Sequence, residues 1–562
     1  MLAAIRGDAS EATMFRRAAA MVAGGQIETD ADLGPFLKAA PPADNDIDRD
    51  ALLRLRHMYD AGAWVLAESA IADIPSDLRW LFESGAVTIE QLAALHAALG
   101  VTSAADLAAA IGRQAIRRVP GLSVETEDAI AAALSNLRAA VPRLGLGRAM
   151  TMAEPVLERL RSVPGVEWAT PTGSLRRGQD SVGDIEIVAA ASDPSAAIEA
   201  VSHLPDVART LHRSDRRLYL LIDRVQLGIR FTEPSVSGAV LLQLTGSPAH
   251  LDALQAIAHS RGGQLTSEGY TPPGGGPIVA SSEEEIYAAL GLPFVPPEIR
   301  QGDGEIDAAA AGALPVLVSR DDIRGDLHMH TTWSDGRDSI EQMVAACRSL
   351  GYAYLAITDH SPSSALSRKL SIDDVARQRD EIAEVRTRYP DIAILHGCEV
   401  DILPDGRLDL PDRVLERLDI VLASLHDDAG QSSAQLQRRY TTAMRHPMVT
   451  LITHPTNRAI PHRQGYDLDY DRLFEAAIET GTILEVDGAP AHLDMDAGLA
   501  RRAVTAGVTV AIDSDSHRTE SLDRQMHLGV LTARRGWVER RHVVNTRPLA
   551  DIRALIARKR GR

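Results

Sequence analysis

The region from residue 322 to 562 contains short apolar runs, each of which ends in a histidine or an acidic residue. Amphipathic patterns between the runs predict helices over 340–350, 372–389, 473–480 and 497–506. Apolar strands that alternate with helices predict a parallel sheet buried on both faces. With the run at 483–486, the pattern predicts seven strands, the size of a small β/α barrel.

The residues at the ends of these runs are types that bind metals. His328 and His330 are separated by one residue in an extended segment, and residues i and i+2 of a strand point to the same face. A single histidine of this kind is expected to be structural, whereas this chain repeats the pattern. The later runs end in His360, Glu399, His426, His454, Asp515 and His517. Because barrel chemistry lies at the C-terminal ends of the strands, we predict a metal site there.

The ligand types indicate a reaction class. Imidazoles with carboxylates suit Mn or Zn, with Fe as an alternative, and these runs offer no thiolate ligand. Clustered divalent ions activate water and neutralise phosphate oxygens, so we predict a metal-dependent phosphoric ester hydrolase. Arg458, close after His454, is either a phosphate clamp or a surface arginine. Asp359 and Asp401 are expected to orient ligands rather than bind metal.

Length, charge and cysteine content limit the classes of protein to which this chain can belong. The chain has 562 residues, enough for several domains. Its net charge of −18 argues against a protein that coats nucleic acid uniformly, but it leaves room for a local basic surface. The sequence has no apolar stretch of membrane-spanning length and no signal-peptide pattern at its start. Two cysteines in predicted buried elements do not suggest a disulfide framework, so we expect a cytoplasmic protein without a membrane partner.

Residues 322–562 resemble the PHP (polymerase and histidinol phosphatase) family through H-x-H with S-D-G, T-D-H, G-x-E-V-D, S-L-H, T-H-P and D-S-H. The resemblance implies a distorted seven-stranded barrel that holds two or three metal ions. The implied ligands are His328, His330, Glu399 and Asp515 for one ion, Glu399, His426 and His454 for a second, and Asp335, His360 and His517 for a third. Asp335, His360 and Arg458 would then take part directly in catalysis.

The first half resembles a family X DNA polymerase in outline. The segment from Gly173 to Glu186 is similar to that family's nucleotidyltransferase palm. The resemblance implies that Gly173 and Ser174 approach a nucleoside triphosphate, that Arg177 neutralises it, and that Asp184 and Glu186 hold Mg²⁺. The segment 245–250 resembles the entry to the thumb, and 290–300 resembles the linker to a PHP domain.

The order of these parts resembles the bacterial PolX family. We therefore predict an all-α region, an α+β palm and thumb, and an α/β barrel. A turn at 119–124 resembles a helix-hairpin-helix turn that lacks its second glycine, and a plain helical hairpin fits it equally well. The predicted regions are a helical region 1–62, the degenerate hairpin region 63–143, a palm 144–235, a thumb 236–295, a linker 296–322 and the PHP domain 323–562.

The palm departs from the family pattern in its carboxylates. Nucleotidyl transfer needs carboxylates on neighbouring strands that hold two metals about 4 Å apart. Glu186 is longer than the family's aspartate, Gly228 stands where a third aspartate is expected, and Asp223 in the preceding turn is not expected to replace it. Gln243 and Leu244 replace an aromatic pair. Since a misplacement of about 1 Å can cost ~100-fold in rate, we predict impaired polymerase activity.

Four functions remain open from the sequence. The leading hypothesis is a metal-dependent 3′-5′ exonuclease or DNA end-processing repair enzyme, with DNA as partner. The second is an active PolX repair polymerase with a PHP exonuclease. The third is a small-molecule phosphatase that resembles histidinol-phosphate phosphatases, and the fourth is a non-enzymatic DNA-binding module.

Overall fold

The computed structural model describes residues 143–561 except 206, 223–224, 267, 364–369, 429 and 461–462, and it describes parts of 78–139. The predicted helical region 1–62 and the turn residue Asp223 lie outside the described residues. Contacts divide the chain into two units, Met1–Val141 and Pro142–Arg562.

The first unit is helical where it is described. Helix α1 (Ile89–Leu99) and helix α2 (Val124–Ala139) bury leucine and isoleucine side chains in a small core. The turn before α2 contains Gly121 at φ +86°, a conformation that suits glycine. Ser123 follows it and accepts a hydrogen bond from the Thr126 backbone N–H at 3.3 Å. This serine therefore caps the start of α2.

The second unit begins with a five-stranded mixed sheet and its helices. The elements are β1 (Leu144–Gly145), α3 (Leu146–Arg161), β2 (Val166–Pro171), α4 (Gly173–Arg176), β3 (Ser181–Val182), β4 (Ile185–Ala191), α5 (Ser195–Ser202), β5 (Val207–Arg213), β6 (Arg217–Ile222) and β7 (Val225–Thr232). The strand order in the sheet is β2-β4-β7-β6-β5. Strand β4 is parallel to β7, and the other neighbours are antiparallel. Helix α3 packs its apolar face on this sheet.

Helices and a small hairpin follow. They are α6 (Ser237–Thr245), α7 (Pro248–Ser260), β8 (Gln264–Thr266), β9 (Gly269–Thr271), α8 (Glu283–Ala289) and α9 (Glu305–Ala310). Buried Glu283 accepts hydrogen bonds from the guanidinium groups of Arg176 and Arg300. Because Arg176 lies at the end of α4, this ion pair joins the helical region to the palm-like sheet.

A seven-stranded, fully parallel sheet forms the rest of the unit, with its strands in sequence order. The predicted barrel is thereby confirmed. Every strand residue is buried except Ala393, which is half-buried, as expected for strands covered on both faces. The strands are β10 (Gly325–Asp326), β11 (Tyr354–Ile357), β12 (Ala393–Asp401), β13 (Ile420–Ser424), β14 (Leu451–Ile452), β15 (Ile483–Asp487) and β16 (Val510–Asp513).

Helices separate the strands close to the predicted positions. The helices are α10 (Ile340–Ser349), α11 (Ile372–Arg388), α12 (Asp412–Leu415), α13 (Ser433–Arg445), α14 (Tyr470–Thr480), α15 (Ala497–Ala506), α16 (Leu522–Arg535) and α17 (Leu549–Lys559). Helix α14 begins at Tyr470 rather than at residue 473, because the Asp469 carboxylate accepts a hydrogen bond from the Arg472 backbone N–H and caps the helix.

The first and last strands of the barrel are linked through the side chain of Asn545. Its amide nitrogen donates to the backbone oxygen of Gly325 in β10 at 2.9 Å and to that of Ile512 in β16 at 2.6 Å. Its amide oxygen accepts from the Ile512 N–H at 3.1 Å. One buried side chain therefore supplies hydrogen bonds where β10 and β16 meet.

Across the described residues, no helix combines the length and apolar character needed to cross a membrane.

Candidate metal centre

His328 and His330 come together just beyond the first barrel strand. Strand β10 ends at Asp326, and the chain continues in an extended path in which Met329 bridges to Ser516. The two imidazoles point to one side, with their Nε2 atoms 3.1 Å apart. Both side chains are fully buried. The i, i+2 pattern read from the sequence thus corresponds to two convergent nitrogens.

Two carboxylates approach this pair of histidines. The Oδ1 atom of Asp515 lies 3.0 Å from His330 Nε2 and 3.5 Å from His328 Nε2. The Oε2 atom of Glu399 lies 3.6 Å from His328 Nε2 and 3.7 Å from His330 Nε2. These four side chains are the set that the family resemblance implies for one ion.

Glu399 also faces the second predicted group. Its Oε1 atom lies 2.9 Å from His454 Nε2 and 3.5 Å from His426 Nε2. Its Oε2 atom lies 2.9 Å from Nδ1 of His360. Glu399 is buried in the middle of this cluster, so a single carboxylate faces all three predicted groups.

The third group surrounds Asp335. The two oxygens of Asp335 lie 3.5 Å from His360 Nε2 and 3.3 Å from His517 Nε2. His330 joins this group as well, with Nδ1 3.9 Å from Asp335. Ligand atoms of these four residues lie within 4.8 Å of one another. The structure therefore brings all nine predicted residues together and places His330 and His360 at the junctions between groups.

Several buried atoms of the cluster have no hydrogen-bond partner among the described residues. They include His330 Nδ1, both ring nitrogens of His360, Glu399 Oε2 and His454 Nδ1. His360 Nδ1 and Glu399 Oε2 are close, yet they are not aligned for a hydrogen bond. A buried polar atom without a partner costs about 1–3 kcal/mol. A divalent cation would bind one nitrogen of each imidazole and the free oxygen of Glu399, so the residues fit a bound metal cluster.

Charges within the cluster shift the pKa values of its members in opposite directions. Burial, with the neighbouring His360 and His517, lowers the pKa of His330 to about 3, which keeps its imidazole neutral. Burial alone would raise the pKa of Glu399, but His426 and His328 hold it well below its usual range. Glu399 in turn raises the pKa of His360 to about 9 and that of His426 to about 10, although burial opposes both shifts, so a metal ion that binds these imidazoles would displace protons.

Other side chains orient the cluster. Asp401 Oδ1 lies 2.8 Å from His426 Nδ1, the geometry expected for a carboxylate that orients a ligand. Asp359 instead accepts from Thr331 N at 2.7 Å and Ser334 N at 3.1 Å, and so holds the segment that leads to Asp335. The sequence interpretation missed a third carboxylate, Glu485. An acid between two apolar residues in the middle of a buried strand was the available signal.

Arg458 lies in a different environment from the predicted phosphate clamp. Its Nε donates to the His492 carbonyl at 2.9 Å, one terminal nitrogen donates to Asp180 at 2.8 Å, and the other donates to the Leu493 carbonyl. These contacts occupy all three guanidinium nitrogens. Arg458 therefore links the loop after His454 to the palm-like region.

The palm-like site has one carboxylate on its strand and one at the strand's edge. Glu186 lies in β4 and pairs with Gly228 in β7, while Asp184 is exposed just before β4. Burial, together with the charge of Asp184, raises the pKa of Glu186. A β-carbon at residue 228 would lie 2.9 Å from Cε1 of Tyr219. An aromatic ring thus fills the space beside the position where the family has its third aspartate.

The predicted triphosphate residues lie around helix α4. Gly173 has φ +56° at its start, and the Ser174 backbone oxygen accepts from Gln179 N at 2.9 Å. Arg177 donates to the Thr245 carbonyl at 2.7 Å, and its buried Nε has no hydrogen-bond partner among the described residues. Burial, with the charges of Arg535 and Arg300, lowers the pKa of Arg177.

Comparison with known proteins gives two family matches. Residues 240–301 match the DNA polymerase beta thumb, and residues 326–479 match the PHP domain. Two of the similar proteins match about a third of the chain. A probable phosphatase of Caldanaerobacter subterraneus subsp. tengcongensis is 31% identical over 34% of this chain and 75% of its own length. One from Syntrophotalea carbinolica is 29% identical over 35% of this chain and 81% of its own length.

A longer match spans both halves. The DNA polymerase/3′-5′ exonuclease PolX of Bacillus subtilis (strain 168) is 34% identical over 508 residues, which are 90% of this chain and 89% of that protein. The chain belongs to the PolX family, with a polymerase beta-like thumb and a PHP barrel in one polypeptide.

Proposed function

We propose that this protein is a metal-dependent phosphoesterase that removes nucleotides or blocking groups from the 3′ ends of DNA. The observation that carries the proposal is the cluster around Glu399, in which nine imidazole and carboxylate side chains meet. Several of their buried atoms have no hydrogen-bond partner among the described residues. Mn²⁺ or Zn²⁺ suits this donor set best, with Fe as an alternative, in two or three sites.

The exposed edge of the cluster indicates where a substrate would approach. The side chains of His517, Asp335 and His426 are 34%, 21% and 19% exposed, whereas those of His328 and His330 are fully buried. Bound ions would lower the pKa of a water molecule and offset the charge of a phosphodiester. Asp335 and His360 would hold the ion on the substrate side in place. Asp335 is ionised because its imidazole neighbours lower its pKa, although burial opposes this shift.

DNA is the proposed substrate because the polymerase-like half accompanies the barrel. The similar protein from Bacillus subtilis, which covers both halves, is described as a DNA polymerase and 3′-5′ exonuclease. The PHP barrel and the palm-like sheet lie in one compact unit, Pro142–Arg562. We also propose a cytoplasmic location, where the buried thiols of Cys347 and Cys398 would remain reduced.

We propose that nucleotidyl transfer by the palm is weak. Asp184 and Glu186 could still hold Mg²⁺, but Gly228 offers no carboxylate and Tyr219 takes the adjacent space. The palm would then help to position DNA for the PHP site. An active repair polymerase is the second candidate, and the description of the Bacillus subtilis relative favours it.

A small-molecule phosphatase is the third candidate. The probable phosphatases match only about a third of this chain, in agreement with the length of its barrel. Such an enzyme would need the metal cluster but no polymerase-like half. This candidate predicts faster turnover of phosphomonoesters than of DNA.

Metal analysis combined with an exonuclease assay tests the proposal. Metal-free protein is reloaded with Mn²⁺ or Zn²⁺. It is then assayed separately on a 5′-labelled single-stranded oligonucleotide, on a gapped duplex with deoxynucleoside triphosphates, and on a panel of phosphomonoesters. We expect two or three ions per chain by the family resemblance, and stepwise shortening from the 3′ end. Asp515→Ala should lose metal and shortening together.

The matched control is His446→Ala in the same barrel. His446 contacts Asp412 at 3.3 Å and lies outside the cluster, so this variant should retain metal and activity. Full shortening by Asp515→Ala would refute the PHP site as its source. Efficient gap filling by the wild type that Asp184→Ala abolishes would support the second candidate, and a preference for phosphomonoesters would support the third.

A further inference from the structure

Strand β15 differs from the other six strands of the barrel. Each of the others leads to at least one of the nine candidate ligands, whereas β15 leads to none of them. Yet β15 carries Glu485, a fully buried carboxylate between the apolar residues Leu484 and Val486. A buried carboxylate is costly unless it is well paired, so its contacts indicate why it lies there.

The two oxygens of Glu485 contact two candidate ligands. Oε1 lies 2.7 Å from Nδ1 of His328. Oε2 accepts from the backbone N–H of His454 at 2.7 Å. When Nδ1–H of His328 donates to Glu485, Nε2 keeps its lone pair and faces Asp515 and Glu399.

The contact with His454 holds an uncommon backbone conformation. His454 has φ +25°, in the left-handed region that non-glycine residues rarely adopt. Its N–H donates to Glu485, and its carbonyl accepts from Asn457 N at 2.9 Å. These two bonds fix the turn that presents the His454 ring to Glu399, 2.9 Å away.

We propose that Glu485 is a positioning residue for two ion sites, because it holds the ring of His328, which belongs to the first group, and the backbone of His454, which belongs to the second. This inference rests on the metal centre of the proposed function. Glu485 suits the role because both its partners are donors. A glutamine would offer one acceptor and turn its NH₂ group toward the other donor, so Glu485→Gln can satisfy only one of the two contacts.

Metal titration of the full-length protein tests the proposal without an activity assay. Metal-free wild type and Glu485→Gln are titrated with Mn²⁺ by calorimetry, and Co²⁺-loaded samples are compared by visible absorption. We expect Mn²⁺ to bind ~10–100-fold more weakly to at least one site of the variant, the range typical of residues that orient ligands. The Co²⁺ bands should change in intensity, because the ligand geometry changes.

Asp487→Asn is the matched control on the same strand. Asp487 is as buried as Glu485, but its carboxyl accepts a hydrogen bond from the backbone N–H of Ala489. Because burial raises the pKa of this carboxyl, the neutral amide of asparagine is a close substitute for it. We expect wild-type Mn²⁺ affinity for this variant. Unchanged binding by Glu485→Gln, or an equal loss in both variants, would overturn the positioning role. Absence of metal binding in the wild type would instead contradict the proposed function itself.

A second measurement uses the wild type and does not depend on how the variant folds. Nitrogen NMR of ¹⁵N-histidine-labelled, Zn²⁺-loaded protein reports which ring nitrogen carries the proton. We expect His328 to keep its proton on Nδ1 and to bind metal through Nε2. Metal bound to Nδ1, or a proton on Nε2, would contradict the proposal because Glu485 could not then orient the ring.

Discussion

The ring of Tyr219 lies against the α-carbon side of Gly228, so that a β-carbon at residue 228 would stand 2.9 Å from Cε1 of the tyrosine. Gly228 also pairs with Glu186 in the neighbouring parallel strand. The aspartate missing from the palm therefore cannot be restored by one substitution, since the tyrosine already fills the space that its side chain would need.

Gly228→Asp is expected to destabilise the protein. Insertion of a side chain into a packed site costs about 1–3 kcal/mol, and here the clash involves an aromatic ring. Urea denaturation should show the loss, and Tyr219→Ala in the same chain should recover part of it. Gap filling should stay low in Gly228→Asp alone. An equally stable Gly228→Asp variant with increased gap filling would contradict this prediction.

Metal removal is expected to lower the thermal midpoint of unfolding. An ion at 100 times its dissociation constant stabilises the folded state by ~2.7 kcal/mol, and the cluster offers more than one site. Scanning calorimetry before and after chelation, and again after Mn²⁺ addition, measures the effect. His360→Ala should respond less to Mn²⁺ than the wild type, because His360 contacts both Glu399 and Asp335. A thermal midpoint of unfolding that does not change on chelation would contradict the metal centre.

The thumb-like region is expected to lose stability in acid. His250 is fully buried, with Nδ1 2.7 Å from Glu305 and Nε2 2.8 Å from the Tyr287 hydroxyl. Burial lowers the pKa of His250 below 6.5, so below pH 6.5 the unfolded chain takes up a proton that the folded chain does not. The contribution of His250 to the free energy of unfolding is therefore constant above pH 6.5. Below pH 6.5 this contribution falls as the pH drops, by at most ~1.4 kcal/mol per pH unit.

Urea denaturation of the wild type and His250→Gln at pH 5 and pH 7 measures this effect. The glutamine does not titrate, so the difference in unfolding free energy between the two pH values should shrink in the variant. The pKa of Glu305 is also lowered, and its contribution is lost only below pH 4.5. An unchanged difference between the two pH values would contradict the role of His250.

Asp180→Asn is expected to weaken the contact between the palm and the barrel. The Asp180 carboxylate is only 19% exposed and contacts both Arg458 and Arg535. Loss of the Asp180 charge leaves the two guanidinium groups without their carboxylate partner. Because the site is partly solvated, we expect the free energy of unfolding to fall by ~1–3 kcal/mol, which is less than for a fully buried ion pair. Urea denaturation measures it, with the exposed Asp215→Asn as control. Equal stability of the two variants would contradict this role.

The sequence predicted the barrel because it follows from local patterns. Eight of the nine candidate ligands lie at the ends of apolar runs, and the strand order brings these ends together. The ninth, Asp335, was implied only by the family resemblance. The contacts of Arg458 could not be predicted in this way, because its partner Asp180 lies 278 residues away in the chain. No local pattern could identify that contact. The packing of Tyr219 on Gly228 depends likewise on the register of two paired strands.

Glu485 was missed for a different reason. In the sequence it is an acid between the apolar residues Leu484 and Val486, and only the hydrogen bonds to His328 and His454 distinguish it from an isolated buried charge. A search for residues that orient ligands therefore needs the positions of the ligands first. Asp401 could be predicted because it follows Glu399 closely in the same strand.

The amide of Asn545 links the first and last barrel strands, and residue 545 follows all seven of those strands in the chain. A ribosome that makes the protein from its N terminus completes every strand before it supplies the residue that joins β10 to β16. Until then, the segment bearing His328 and His330 lacks this anchorage beside Asp515. Nascent chains stopped before residue 545 should therefore acquire metal poorly, because their first and last barrel strands lack this link.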